Sequence, residues 1–532
     1  MLPPDNSQEP LPQEPLPHPA RLIRRSWFVV GMGLFVILYA TLFPFDFFIQ
    51  SGASWRAVLG DFDWTLIASY ALADIPRNVV LFAPLGFGLG GLLLARRWRL
   101  WPACWLALLV GLMLSALLEV VQAVALLRFP TVPDVLANGL GTAVGCAILY
   151  RWGGQMWGGV GRLAEGIRPL RTPRRFFIIC LLYLAAWLAL AVWLPTTTQL
   201  SNWDDQFPLI VGNEQTQDRP WHGVLGRLYL ADRAFSDGEV ARLLTGENVM
   251  AVAGASLVAH YDFLATADAN FPPLVPQGSG ALVTTPQGIL LSRHGWLASE
   301  GAVTAVSQAL ATTSQFTLGL TAASGDVAQG GPARLMSISG DPYRRNLTLG
   351  QEGAALVLRL RTPLTGENGR TPEFIIPGVF TNGGLHQIVI TYDRTAVRLS
   401  IDDPTNVYTI ELLPAAALFI KTFPNEVGQM RLNRGNMAVF RLLYTICLFL
   451  PWMYWLALLQ QHQRLARPPL IFWLVPAIAL PAIMWEGLLS LLLRHYQFQP
   501  GYAAFNAIVI TAGFLLLHWL RLVEPMPALP DK

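Results

Sequence analysis

The stretch Leu117–Gly141, LLEVVQAVALLRFPTVPDVLANGLG, decides how the rest of the chain is read. Two apolar runs flank a short link containing Arg128, and each run keeps its polar groups on one helical face. Glu119 and Gln122 are three apart, and Asp134 and Asn138 are four apart, spacings that make side chains neighbours on a helix. Pro133 and Asp134 suit a helix start, where proline's missing N–H is no loss and a carboxylate meets the positive end of the dipole. So apolar a helical hairpin belongs in a bilayer. Ionisable groups there are expensive, and they normally face a bundle interior, pair with one another or line a polar pathway.

The totals agree. Of 532 residues, 53% are hydrophobic and 13% charged, against roughly a quarter charged in ordinary soluble domains. Eight runs approach the ~20 apolar residues that cross a bilayer as helix: about 27–44, 76–95, 101–124, 133–150, 176–195, 438–459, 470–493 and 503–520. Gly86, Gly88 and Gly90 allow close helix packing in the second run. Residues 1–26, rich in proline and polar groups, are expected to be a disordered tail. No signal peptide is expected, because the first apolar run is long and no small-residue cleavage site precedes it. The four cysteines lie in apolar runs without metal-type or disulfide-type spacing. With a net charge of +3 and no basic cluster interleaved with aromatics, nucleic acid is excluded as a partner.

Basic residues beside the spans set sidedness. Arg21, Arg24 and Arg25 precede the first span, and Arg96, Arg97 and Arg99 follow the second. Arg151, Arg162, Arg168, Arg171, Arg174 and Arg175 follow the fourth, Arg464 and Arg467 the sixth, and Arg521 the eighth. With eight spans all of these fall on one side, which is therefore cytoplasmic. The opposite loops hold only Arg56, Arg77, Arg128 and Arg494, and the first of them is acidic (Asp46, Asp61, Asp63, Asp74). This divides the chain into a cytoplasmic tail 1–26, a four-span domain 27–152, a basic linker 153–175 and a fifth span 176–195. An extracytoplasmic insert 196–437, three spans within 438–522 and a cytoplasmic tail 523–532 complete it. Both termini are placed in the cytoplasm, and the insert outside, together with the ends of the spans that bear Arg77, Asn78, Glu119, Gln122, Arg128, Asp134 and Asn138.

The insert alternates apolar and polar residues in short runs bounded by turn residues, the mark of an all-β sandwich. HQIVITYDRTAVRLSID (386–402) reads as two strands joined at Asp393–Arg394, and LMSISG, NLTLG and ALVLRLR add more. The pattern resembles the laminin-G-like, concanavalin-A-like jelly rolls: LVAHYDF (257–263) looks like an opening strand, FTLGL like a middle one, and 207–244 like a closing hairpin with a short helix. That closing element comes first in this chain, so the fold is expected to be a circularly permuted jelly-roll sandwich in which 207–230 packs against strands of 257–435. The resemblance implies binding of a glycan or a protein. Trp221 and Tyr343 are stacking candidates, with core packing as the plainer reading. Asp204, Asp205, Asp402 and Asp403 offer the oxygen ligands calcium takes, and turn formation is preferred for them. No other cofactor is implied. With 16 Lys+Arg against 21 Asp+Glu in 196–437, the domain favours no anionic partner.

NVVLFAPLGFGLG (78–90), followed by EVVQAVALLRFPTVPDVLANGLGTAVG (119–145), closely resembles the VanZ-like membrane domain over roughly 35–152. Asn78, Pro84, Gly86, Glu119, Gln122, Arg128, Asp134, Asn138 and Gly141 all fall on that family's pattern. The family takes its name from a protein that lowers susceptibility to teicoplanin, so the resemblance implies envelope biology rather than a reaction. Glu486, Arg494 and Asn506 recur in similar order near the C-terminus, but their spacing differs and the Gln and Asp counterparts are missing, so chance is preferred to a decayed repeat.

The polar groups admit two compatible readings. In one, Arg128 pairs with Glu119 or Asp134 while Asn78 and Asn138 hydrogen-bond between helices. In the other, Arg77 and Arg128 also hold the headgroup of a lipid-linked precursor at the outer leaflet, with membrane lipids and envelope glycan as partners. The leading expectation is a non-enzymatic protein of a bacterial cytoplasmic membrane. The alternative is a membrane enzyme using Glu119 or Asp134 as acid–base. No nucleophile motif, metal-ligand set or phosphate loop supports it, and without a clear inverted repeat a transporter is less favoured still.

Overall fold

Residues 18–43, 45, 71–125, 132–166, 172–264, 270–341, 343–422, 430–462, 470–493 and 496–519 are described by the computed structural model. Residues 1–17 of the expected tail, and Asp46, Arg56, Asp61, Asp63, Arg128, Arg168, Arg171, Arg464, Arg467, Arg494 and Arg521, lie outside them. Among the described residues, eight helices are long and apolar enough to cross a membrane, which makes this a multi-pass membrane protein. Large apolar side chains such as Trp101, Leu182 and Leu491 stand on their outer surfaces, as lipid-facing residues do. The chain divides into two compact units. One holds residues 1–184, 446–479 and 506–532, and the other 185–445 with 480–505.

In the first unit, α1 (Pro19–Leu42), α2 (Ala71–Ala95), α3 (Leu100–Ala125) and α4 (Val132–Gly166) form a bundle. Val30, Ile37, Phe82, Leu85 and Leu118 fill its centre. α2 and α4 run side by side, backbone against backbone. A Cβ added at Gly86 would stand 1.8 Å from the Thr142 carbonyl oxygen, and one at Gly145 would stand 1.9 Å from that of Ala83. Only hydrogen fits at either place, which is how small residues let membrane helices approach. α1 begins well before the expected span, at Pro19, and α4 runs on through the first half of the expected linker. Five glycines in 153–161 argue against helix there, at about 1 kcal/mol each. Tertiary contact overrides them: Trp157 packs on Phe87, ring centroids 5.9 Å apart, and under the Arg25 guanidinium at 5.2 Å. α5 (Pro173–Trp193) follows.

The second unit is built on two large, mainly antiparallel sheets stacked as a sandwich. The strands are β1 (Pro208–Val211), β2 (Gly223–Ala231), β3 (Leu257–Asp262), β4 (Leu274–Gln277), β5 (Val283–Thr285), β6 (Gly288–Leu291), β7 (Trp296–Ala302) and β8 (Phe316–Ser324). Then come β9 (Ala333–Ser339), β10 (Arg345–Glu352), β11 (Ala355–Leu360), β12 (Glu373–Ile376), β13 (Leu385–Tyr392), β14 (Ala396–Ile401), β15 (Asp403–Glu411) and β16 (Arg431–Leu432). One sheet runs β16-β12-β11-β10-β9-β1-β7-β4, and the other β15-β14-β13-β8-β2-β6-β5, with β3 also on β2. Register places Phe316, Leu318 and Leu320 of β8 opposite Tyr392, Ile390 and Ile388 of β13, all buried. The β13–β14 turn falls at Asp393–Arg394, as the sequence predicts. Arg394 takes a φ of 73°, and Asp393 accepts the amides of Thr395 and Ala396 at 2.9 Å each.

Residues 207–230 do pack among strands of 257–435, but not as a hairpin. β1 sits between β7 and β9 of one sheet, and β2 sits beside β8, β3 and β6 of the other. The segment between β1 and β2 crosses from sheet to sheet, so both strands become central. Helices α6 (Asp237–Leu244) and α7 (Val249–Ala253) bury Val240, Leu243, Leu244, Val249 and Val252 with Tyr229 and Val389 of the second sheet. Helix α8 (Thr304–Thr313) leads into β8, and α9 (Ala415–Thr422) follows β15. The C-terminal spans are α10 (Arg434–His462), α11 (Leu470–Leu492) and α12 (Pro500–Trp519).

Candidate functional site

The polar residues of the opening stretch lie where the bundle's helices meet. Asn78 is near the start of the α2 span, Gln122 at the end of the α3 span and Asp134 in the first turn of α4. Three side-chain hydrogen bonds each join a different pair of helices. The Asn78 amide donates to Asp134 Oδ1 at 2.6 Å, tying α2 to α4. Asn138 donates to Ser115 Oγ at 2.9 Å, tying α4 to α3. Gln122 donates to the Thr41 carbonyl at 2.6 Å, tying α3 to α1. Satisfying polar groups between helices is what a bilayer demands of them.

Depth follows from helix geometry. From Asp134 to Thr142 is eight residues, about 12 Å along the axis at 1.5 Å each. Over that distance Asp134, Asn138 and Thr142 line one face of α4, and Thr142 donates to the Asn138 carbonyl at 2.9 Å. Ser115 and Glu119 line the facing side of α3. Glu119 and Gln122 are each 8% exposed and Asn138 6%. The amide oxygen of Asn138 is buried and accepts no hydrogen bond. Asp134 sits where the N-terminal dipole favours its charge. Arg77 is on the exposed side of α2.

Ser115, Thr142 and Thr41 were not singled out in the sequence. Ser115 stands four residues before Glu119 and Thr142 four after Asn138, so the same-face rule that joined the other pairs could have found both. Thr41 contributes a backbone carbonyl, which leaves no mark in a sequence.

In the sandwich, Trp221 is fully buried, and its indole N–H donates to Gln351 Oε1 at 2.8 Å. It is therefore core and offers no ring face to a ligand. Tyr343 is 77% exposed, on a turn held by Asp341, which accepts its amide at 2.7 Å. Asp402 accepts the Gln387 amide at 2.7 Å and pairs with His386 Nδ1 at 2.7 Å. Asp403 accepts from Thr405, whose hydrogen bonds hold its carboxyl below the ordinary range. Asp204 accepts the Gln206 amide, and Asp205 accepts the side chains of Gln206 and Gln308. Those two bonds lower the pKa of Asp205. Among the described residues, no three His, Cys, Asp or Glu side chains gather closely enough to hold a metal ion.

Residues 26–153 match the family model VanZ-LLP1, described as VanZ/LLP1. The match covers the bundle that carries the polar track, and its limits nearly coincide with α1–α4 short of the α4 extension. Neither a curated protein nor a solved structure matches the chain.

Proposed function

We propose that this protein works in a bacterial cell envelope by binding rather than by catalysis. The outer end of α1–α4 takes the headgroup of a lipid-linked envelope molecule, and the sandwich, read as laminin-G-like and permuted, engages a glycan or protein outside. A part in the response to glycopeptide antibiotics is consistent with the VanZ-like bundle. The observation that carries the reading is the buried, unused Asn138 acceptor on the same helix face as Asp134. A buried polar atom without a partner is costly, about 1–3 kcal/mol, and a donor supplied by a headgroup relieves it.

The test is binding of a polyprenyl-pyrophosphate-linked saccharide to the full-length protein in lipid nanodiscs. A hydrogen bond to a charged group contributes roughly 1.5–3 kcal/mol and one to a neutral group roughly 0.5–1.5 kcal/mol, so Asp134→Asn should weaken binding at least about tenfold and Asn138→Leu about two- to tenfold. Equal binding by both variants and the wild type overturns the proposal. A chemically altered substrate, formed by the wild type and lost in Glu119→Gln, replaces it with the enzyme reading.

A further inference from the structure

A second polar site lies in the sandwich unit, in a cavity of about 420 Å³, within the roughly 300–1,000 Å³ range of small-molecule sites. Three segments build it: residues 202–205 beyond α5, helix α8, and Arg361 at the end of β11. Arg361 is nine-tenths buried, yet its Nε and Nη1 have no hydrogen-bond partner. Its carbonyl accepts the Trp203 indole N–H at 2.9 Å, which fixes that ring as a wall. Ser307, 1% exposed, also has an unpartnered hydroxyl.

The carboxylates of Asp204 and Asp205 line the same cavity without relieving the guanidinium. Asp205 is held instead by Gln206 and Gln308, both at 2.7 Å. Asp204 is clamped through its backbone, its N–H donating to Asn346 Oδ1 at 2.9 Å. A buried arginine normally finds an anion, because removing it from water is expensive. Here one positive and two negative groups share a cavity and stay apart.

We infer that this cavity binds a small zwitterion, its carboxylate or phosphate on Arg361, its ammonium on Asp204 and Asp205, and its stem against Trp203. A lone anion meets two carboxylates there, a lone cation leaves Arg361 bare, and a neutral sugar leaves the guanidinium uncompensated. Two sources share this chemistry: a free amino acid and a phosphoethanolamine headgroup. Asn202 follows Thr196, the end of the fifth span, by six residues. An extended chain covers at most about 20 Å over that length, so a headgroup is within reach.

The experiment is calorimetric titration of the full-length protein in detergent with glycine, L-alanine, D-alanine and phosphoethanolamine, each as a separate arm. Acetate, ethylamine and glucose serve as controls. At least one zwitterion should bind, at least tenfold more weakly in Arg361→Gln and in the double variant Asp204→Asn/Asp205→Asn, while the controls bind no better than the variants do. Without ligand, Arg361→Gln should melt no lower than wild type, since the lost side chain leaves no partner behind at Nε or Nη1. Should it fail to fold, the aspartate variant alone decides, because Asp205 is on the cavity's rim. Silence from every zwitterion, glucose binding as tightly, or unchanged affinity in the variants overturns the inference. Preference between the amino-acid and phosphoethanolamine arms identifies the source.

Discussion

Replacing Gly145 by alanine should force α2 and α4 apart. The added methyl carbon would stand 1.9 Å from the Ala83 carbonyl oxygen, and ordinary contact begins at about 3.4 Å, so the helices must separate by roughly 1.5 Å or bend. Moving as rods, they would stretch the Asn78–Asp134 hydrogen bond from 2.6 Å to about 4 Å, beyond any useful geometry. The lost interhelical bond is worth about 0.6–2 kcal/mol, and overpacking adds about 1–3 kcal/mol. A total of about 1.6–5 kcal/mol follows. Gly159 on the same helix is the control, because a Cβ there meets nothing within 4 Å. Thermal unfolding of the two alanine variants in one detergent, followed by tryptophan fluorescence, reads the difference. If Gly145→Ala melts together with Gly159→Ala, the close α2–α4 approach, and the placement of the polar track that depends on it, are wrong.

Other perturbations probe the sandwich. Arg359 donates to Glu373 at 2.8 Å with both side chains buried, so Arg359→Met should destabilise by about 3 kcal/mol. Arg431 remains as a partner for Glu373, and the double variant Arg359→Met/Glu373→Leu should recover most of the loss in a melting experiment. Ser236 caps α6 in a reciprocal box with Glu239, and Ser236→Ala should cost about 1 kcal/mol by the same assay. The Arg233 guanidinium, aided by Ser236, pulls the Glu239 carboxyl from 4.5 to about 2. A depressed folded pKa gives stability that is present above the unfolded value and lost as pH falls through the folded one. Melting temperature should therefore drop between pH 4.5 and about 2, and Glu239→Gln should flatten that part of the profile.

The spans were legible because length and apolarity suffice to mark them, and LMSISG, NLTLG and HQIVITYDRTAVRLSID gave strands where the sheets have them. Sheet membership was less legible. The β1–β2 stretch has the local look of a hairpin, and only long-range pairing, Leu209 with Ile338 and Leu228 with Leu320, separates its strands into two layers. Helix limits failed for a similar reason, since Trp157 holds a glycine-rich segment helical through partners far away in sequence. In the polar track the side chains announced themselves by spacing, whereas the Thr41 carbonyl could not. Burial decided Trp221, whose residue type alone fits a core and a sugar site equally. Arg361 carried no motif at all, and its interest arises from unpartnered atoms that only packing creates.

Whether the sandwich and the far end of the polar track look out of the cell together is tested most directly by single cysteines, added to a cysteine-free chain and probed with a membrane-impermeant maleimide on intact cells. Phe129, in the α3–α4 link, and Gly238, on α6, should label at once, while Gly166, at the end of α4, should label only after permeabilisation. Gly166 reacting on intact cells while Gly238 and Phe129 stay silent would invert the topology and contradict a headgroup site on the outer leaflet.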